Sequence, residues 1–125
     1  MRILGLDYGE KRIGIAISGP EGTVAFPRDI LKNTSLEAVL EHLRPLIKAE
    51  KISTIVVGWP LSLKGSQTNQ TNETQDFIND LKNADLSVKI EKMDERWTTA
   101  QANRTEGDDS VAAQIILQTY LDMVK

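Results

Sequence analysis

The apolar residues of this chain change their period part-way along it, and that change restricts the fold more than any other feature. Arg2 to Asp7 (RILGLD) is a short apolar run with the length of a buried strand. Arg12 to Ser18 (RIGIAIS) places Ile13, Ile15 and Ile17 on one face and the small Gly14 and Ala16 on the other, a period of two. The tight turn Tyr8 to Lys11, centred on Gly9, predicts that these two strands form an antiparallel hairpin. A third extended run, Gly22 to Leu31, contains Pro27, which predicts an edge strand because proline has no N–H for the ladder. Beyond it the period lengthens. Leu36, Val39, Leu40, Leu43 and Ile47 recur at steps of a helix, opened by a Thr34/Glu37 capping box and kinked or ended early by Pro45.

The remaining elements alternate. Thr54 to Gly58 predicts a strand, Trp59 to Thr71 a polar loop, and Glu73 to Lys82 a helix with Phe77, Ile78 and Leu81 inward. Val88 and Ile90 begin a strand that ends near Asp94, Thr98 to Arg104 predicts a short helix, and Asp109 to Val124 predicts a final helix with a wide apolar face. Three strands followed by helix, strand, helix, strand and helix imply an α/β fold. Its sheet is mixed and five-stranded, with three antiparallel strands, then α/β units, and helices packed on both faces. That order resembles an RNase H-like domain.

With 125 residues, 40% of them hydrophobic, the chain is expected to form a single domain over 1–125 around one core. The absence of cysteine excludes disulfides, thiolate metal sites and thiol nucleophiles, and suits a reducing compartment. Asp7 interrupts the N-terminal apolar stretch, and no apolar run approaches the ~20 residues that span a bilayer. The expectation is a cytoplasmic protein with no membrane partner. A net charge of -3 argues against a broad basic grip on phosphates. It leaves a carboxylate-lined metal site open, because bound cations reverse the local sign.

Three acidic positions stand out. Asp7 ends a strand expected to be central, where a carboxylate is costly unless paired, hydrogen-bonded or bound to metal; a turn-forming Asp is the competing explanation. Glu95 follows the last strand beside Asp94, and either is also an ordinary charged strand end. Asp109 opens the last helix, where Asp is a preferred N-cap, although Asp108 can take that role and release it. Together, acids from a strand, a strand end and a helix match what two-metal phosphodiester cleavage needs: carboxylates from separate elements around hard cations ~4 Å apart. Mg²⁺ or Mn²⁺ suits such an all-oxygen set. His42, the one histidine, lies mid-helix in a polar context, which argues against a His-ligated zinc or a His-based triad.

Four segments carry a family resemblance. LDYGEKRIGIAIS (Leu6 to Ser18), VVGWPLSLKGS (Val56 to Ser66), DERWTT (Asp94 to Thr99) and DSVAAQIILQTYLD (Asp109 to Asp122) resemble, in order, the motifs of the YqgF/RuvX family. That family consists of relatives of the Holliday-junction resolvase RuvC. Trp59 and Trp97 stand where the family usually has aliphatic residues. The resemblance implies an RNase H-like nuclease that processes the 5′ end of pre-16S rRNA. It makes Asp7, Glu95 and Asp109 the catalytic, metal-binding acids. Lys11, Arg12, Lys64 and Arg96 become nucleic-acid contacts. Trp59 and Trp97 are candidates for base stacking, with packing against the loop and helix as the stronger alternative. The family's longer basic segment before the last helix is shortened here to Ala100 to Asp108, with one arginine. Weaker nucleic-acid affinity and a flatter salt dependence follow.

The resemblance also implies a second activity, a resolvase acting on branched DNA, while the shortened segment and acidic composition fit a non-catalytic RNA-binding module of ribosome assembly. Nothing in the sequence demands dimerisation, so a monomer or weak homodimer is expected. Asp-x-Gly before a hairpin also opens actin-like ATPases, but these close a second lobe over ATP, which 125 residues do not supply.

Overall fold

The structure is a computed structural model and describes residues 1–62, 64–98 and 108–124. The chain runs β1 (Arg2–Tyr8), β2 (Arg12–Ser18), β3 (Ala25–Lys32), α1 (Leu36–Glu50), β4 (Ile52–Trp59), α2 (Asn69–Asn83), β5 (Lys89–Asp94), a 3₁₀ turn (Glu95–Trp97) and α3 (Asp109–Met123). The five strands form one sheet in the order β3-β2-β1-β4-β5. β1 is central, antiparallel to β2 and parallel to β4, and β5 runs parallel to β4. The C-terminal ends of β1, β4 and β5 therefore lie at one edge of the sheet, together with the β1–β2 turn.

β3 is an edge strand, as Pro27 requires. Its pairing steps from Ile15↔Asp29 to Ala16↔Pro27, so Arg28 is the extra residue of a bulge beside the proline.

The sheet divides the core into two layers where composition implied one. Leu4, Leu6, Ile13, Ile15, Ile55 and Val57 pack with Val39, Leu43 and Leu46 of α1 and with Phe77, Ile78 and Leu81 of α2. On the other face Ala16, Val56 and Met93 pack with Ala112, Ala113, Ile116, Leu117 and Leu121 of α3. The second layer is thin because its sheet residues are small. A Cβ built on Gly5 would lie 2.7 Å from Leu117 Cβ, so α3 rests almost on the backbone of β1. This close seat brings the N-terminus of α3 to the edge where β1 ends.

Helix starts differ from the sequence expectation for local reasons. Ser35, not Thr34, caps α1, its hydroxyl accepting from Ala38 N at 3.1 Å. Ser35→Ala should cost about 1 kcal/mol in urea unfolding while Thr34→Ala leaves the midpoint in place; equal losses would contradict this cap. Pro45 neither ends nor shortens α1, which continues to Glu50. It sits on the exposed side with Glu41, whose carbonyl it leaves without an N–H, so water can satisfy that group. α2 begins at Asn69, ahead of the expected Glu73, because Thr68 and Thr71 form a reciprocal capping box from threonines alone. The buried Thr71 hydroxyl also donates to the Pro60 carbonyl, tying the start of α2 to the chain leaving β4. The short helix expected over Thr98 to Arg104 and the shortened linker fall largely outside the described residues; Thr98 itself ends the 3₁₀ turn. No helix among the described residues is long and apolar enough to cross a membrane.

Candidate active site

Asp7, Glu95 and Asp109 are 3%, 2% and 8% exposed, among the few buried charged side chains described. Strand alternation puts Asp7 on the same face as Gly5, under α3. Asp7 pairs directly with Gly14 of β2. A Cβ on Gly14 would lie 1.9 Å from the Asp109 carbonyl oxygen and 3.0 Å from Asp109 Cβ. The first residue of α3 therefore rests in the gap left by a missing side chain, next to Asp7. On the other flank, the register Leu6↔Val57 puts Gly58 one step along β4 from the level of Leu6, beside Asp7. A Cβ on Gly58 would lie 3.2 Å from both Cδ and Oε2 of Glu95, so the Glu95 carboxyl covers that second gap. Glu95 shares its face with Met93, which packs under α3. Neighbouring strands are about 4.8 Å apart. Three acids from β1, the end of β5 and the start of α3 thus approach one edge of the sheet on one face.

The flanking aspartates are occupied elsewhere. Asp108 caps α3, accepting from Ser110 N at 3.0 Å, Val111 N at 3.3 Å and Ser110 Oγ at 2.6 Å. The Ser110 hydroxyl bond lowers the Asp108 pKa from its usual value. Asp94 accepts from Arg96 N at 2.9 Å and from the Arg96 guanidinium at 2.7 Å and 3.0 Å. That pairing holds the Asp94 pKa below the ordinary carboxylate range and raises that of Arg96. Of the two adjacent acids at the end of β5, Asp94 is turned to Arg96 and Glu95 to Gly58.

The cations lie around the same edge. Lys11 is exposed at the β1–β2 turn. Lys64 is exposed in the loop after β4, next to Gly65, whose positive φ of 85° favours glycine. The Arg96 Nη1 lies 2.9 Å from where a Gly65 Cβ would stand, so the guanidinium packs on that loop. Arg12 is exposed at the start of β2, and its Nε donates to Asp109 Oδ2 at 2.8 Å. Among the described residues, no group of three or more His, Cys, Asp or Glu side chains is arranged to hold a metal ion.

Trp59 packs against the α1/α2 layer, on the sheet face opposite Gly58, with Lys92 Nζ 4.0 Å from its ring centroid. That is the packing role, not base stacking; the Trp97 side chain lies outside the described residues. His42 Nε2 sits 3.3 Å from Asp29 Oδ2, away from the three acids on another part of the fold. Sequence reasoning missed Gly58 and the Arg12–Asp109 pair. A glycine near the end of a strand rich in β-branched residues is the signal that marks the first; no local signal marks the second.

The profile of the RuvX family, described as Holliday junction resolvase, matches residues 1–123. This chain belongs to the RuvX family. A relative from Sulfurihydrogenibium sp. (strain YO3AOP1) is 45% identical over 132 aligned positions, covering 97% of this chain and 90% of the relative. One from Syntrophomonas wolfei is 40% identical over 134 positions, covering 98% and 94%. Both bear the name "Putative pre-16S rRNA nuclease". Among solved structures, Thermus thermophilus RuvC in complex with Holliday junction substrate matches with a TM-score of 0.62 at 13% identity, covering 99% of this chain and 96% of that one. T. thermophilus RuvC in a second structure matches with a TM-score of 0.60 at 12% identity. At such identity the likeness is one of fold, and the fold is RNase H-like. In this RuvX chain the opening motif forms β1, the turn and β2, and the DER segment forms the end of β5 and the 3₁₀ turn.

Proposed function

We propose that this RuvX chain is a metal-dependent endonuclease that hydrolyses phosphodiester bonds, with an rRNA precursor as substrate and the 5′ end of pre-16S rRNA as the place of cleavage. The observation that carries the reading is the paired gap at Gly14 and Gly58, which lets Asp109 and Glu95 approach Asp7 on one buried face. A buried carboxylate is costly unless it is hydrogen-bonded, paired or bound to a cation, and of these three Asp109 is paired with Arg12.

The donor set is entirely carboxylate oxygen, which suits Mg²⁺ or Mn²⁺. Asp7, Glu95 and Asp109 would hold the ions once Asp109 turns from Arg12. Bound there, such ions would stabilise the negative charge that phosphodiester hydrolysis develops on its attacking and leaving oxygens. The chain's own contribution is placement. The sheet edge holds Asp7, the Asp94–Arg96 pair holds the turn that carries Glu95, and the Asp108 cap holds the first turn of α3. Lys11, Lys64 and Arg96 stand at the same edge as phosphate contacts, with Arg12 beside them. The proposed protein works in the cytoplasm as a monomer or weak homodimer.

The solved RuvC complex with a junction makes branched DNA the second reading. Cleavage of a 5′-extended 16S precursor RNA and of a four-way DNA junction in Mg²⁺ or Mn²⁺ separates the two. Glu95→Gln should lower cleavage by about a hundredfold or more, whereas Asp94→Asn should stay within about tenfold, since Asp94 acts through Arg96. Scission of neither substrate would leave a non-catalytic RNA-binding module. Equal losses from the two variants would overturn the assignment of Glu95.

A further inference from the structure

Arg12 is placed to do more than touch a phosphate. It opens β2 two residues before Gly14, so it projects on the α3 face beside the three acids. Its side chain is 58% exposed, yet its Nε is held by a carboxylate whose own side chain is 12% exposed. Among the described residues its terminal nitrogens make no further hydrogen bond. Asp109, in contrast, has little freedom in its backbone. The Gly14 gap seats its carbonyl, and Asp108 caps the turn it belongs to. The Asp109 carboxylate can change position only by rotation about its own side-chain bonds. It has two calls on it: the guanidinium on one side and, through Gly14, the edge with Asp7 on the other.

A guanidinium recognises a carboxylate and a phosphodiester with the same fork of donors. An incoming nucleic-acid phosphate therefore competes with Asp109 for Arg12. Resting on the three-acid reading above, we infer that Arg12 is a positioning residue that couples nucleic-acid binding to metal loading. In the free protein it holds Asp109 away from Asp7 and Glu95. When a phosphate takes the guanidinium, Asp109 turns inward and completes the ligand set. Linkage makes the effect reciprocal: nucleic acid tightens metal binding, and metal tightens nucleic-acid binding by the same factor.

The test is Mn²⁺ affinity, read by calorimetry and by the loss of the free-ion spin-resonance signal, with and without a short phosphorothioate RNA. The wild type should bind Mn²⁺ about tenfold more tightly when the RNA is present. Arg12→Gln should bind it about tenfold more tightly than wild type without RNA, and RNA should add less than about threefold. Arg12→Lys, which keeps a cation but loses the Nε contact, should fall between them and decides the matter if Arg12→Gln folds poorly in thermal melts. Lys32→Gln, directly across the ladder from Arg12, removes one neighbouring positive charge and should shift Mn²⁺ affinity by less than about threefold. Coupling that persists in Arg12→Gln, or a Lys32→Gln shift as large as that of Arg12→Gln, overturns the inference. Asp7→Asn separates it from its premise. If that variant binds Mn²⁺ as wild type does, the carboxylate site itself fails. If it binds weakly while Arg12→Gln binds no more tightly than wild type, only the coupling fails.

Discussion

Asp7→Asn should lower divalent-metal-dependent cleavage by about a thousandfold or more, equivalent to ~4 kcal/mol of lost transition-state stabilisation. Asp7 is the central acid. It stands on the middle strand between Gly14, which seats Asp109, and Gly58, which Glu95 covers. An asparagine keeps the shape of the side chain but removes the charge that a hard cation requires. The fold should survive. The change alters no volume in either apolar layer. In chelator, the melting temperature of the variant should therefore stay within a few degrees of wild type. Cleavage that persists at wild-type rate in a folded Asp7→Asn protein would remove Asp7 from the mechanism. A variant that unfolds would instead show that Asp7 holds the strand end together.

Gly14→Ala should act on stability and activity at once. The added methyl would stand 1.9 Å from the Asp109 carbonyl oxygen and 2.4 Å from its carbon, and both atoms belong to backbone that cannot rotate aside. The start of α3 must move off the sheet. A cost of roughly 3 kcal/mol follows from overpacking of this kind. For a chain of this size that is a fall of about 10 °C in melting temperature. Because the displaced residue is Asp109 itself, cleavage should fall further than the loss of folded protein explains. Gly19→Ala is the control: its methyl would meet only the Phe26 ring at 3.7 Å, an ordinary contact, and should cost well under 1 kcal/mol. Equal melting temperatures for the two variants would contradict the close seat of α3. Gly58→Ala is a milder probe of the same geometry, since its nearest clash is the flexible tip of Ile116, 2.6 Å away, with the Glu95 carboxyl next.

Much of the fold was legible before any coordinates. β2 spans Arg12–Ser18, the stretch that period two marks out, and β3 occupies the edge that Pro27 demands. The order of strands and helices also follows from the change of apolar period. These features are local. Whether a side chain faces the core or water depends on residues a few positions away, so a strand or helix writes its own signature. Helix ends were less legible because neighbouring hydroxyls compete for one backbone N–H. Thr34 and Ser35 are adjacent, and only the geometry of the turn selects Ser35.

The acids Asp7, Glu95 and Asp109 were visible as candidates, each with an ordinary local explanation of equal or greater weight. Two of those alternatives were decided by contacts: Asp108 is the cap of α3, and Asp94 is turned to Arg96. Neither outcome is written in spacing, since adjacent aspartates look alike in a one-dimensional pattern. The placement of the three acids at one sheet edge, and the Arg12–Asp109 pair between residues 97 positions apart, belonged wholly to the tertiary structure. They depend on which strands are neighbours, on their register, and on two missing side chains that let a helix and a turn settle onto the sheet. Local periodicity determines the direction in which each side chain points. Only packing of the whole domain determines which of them meet.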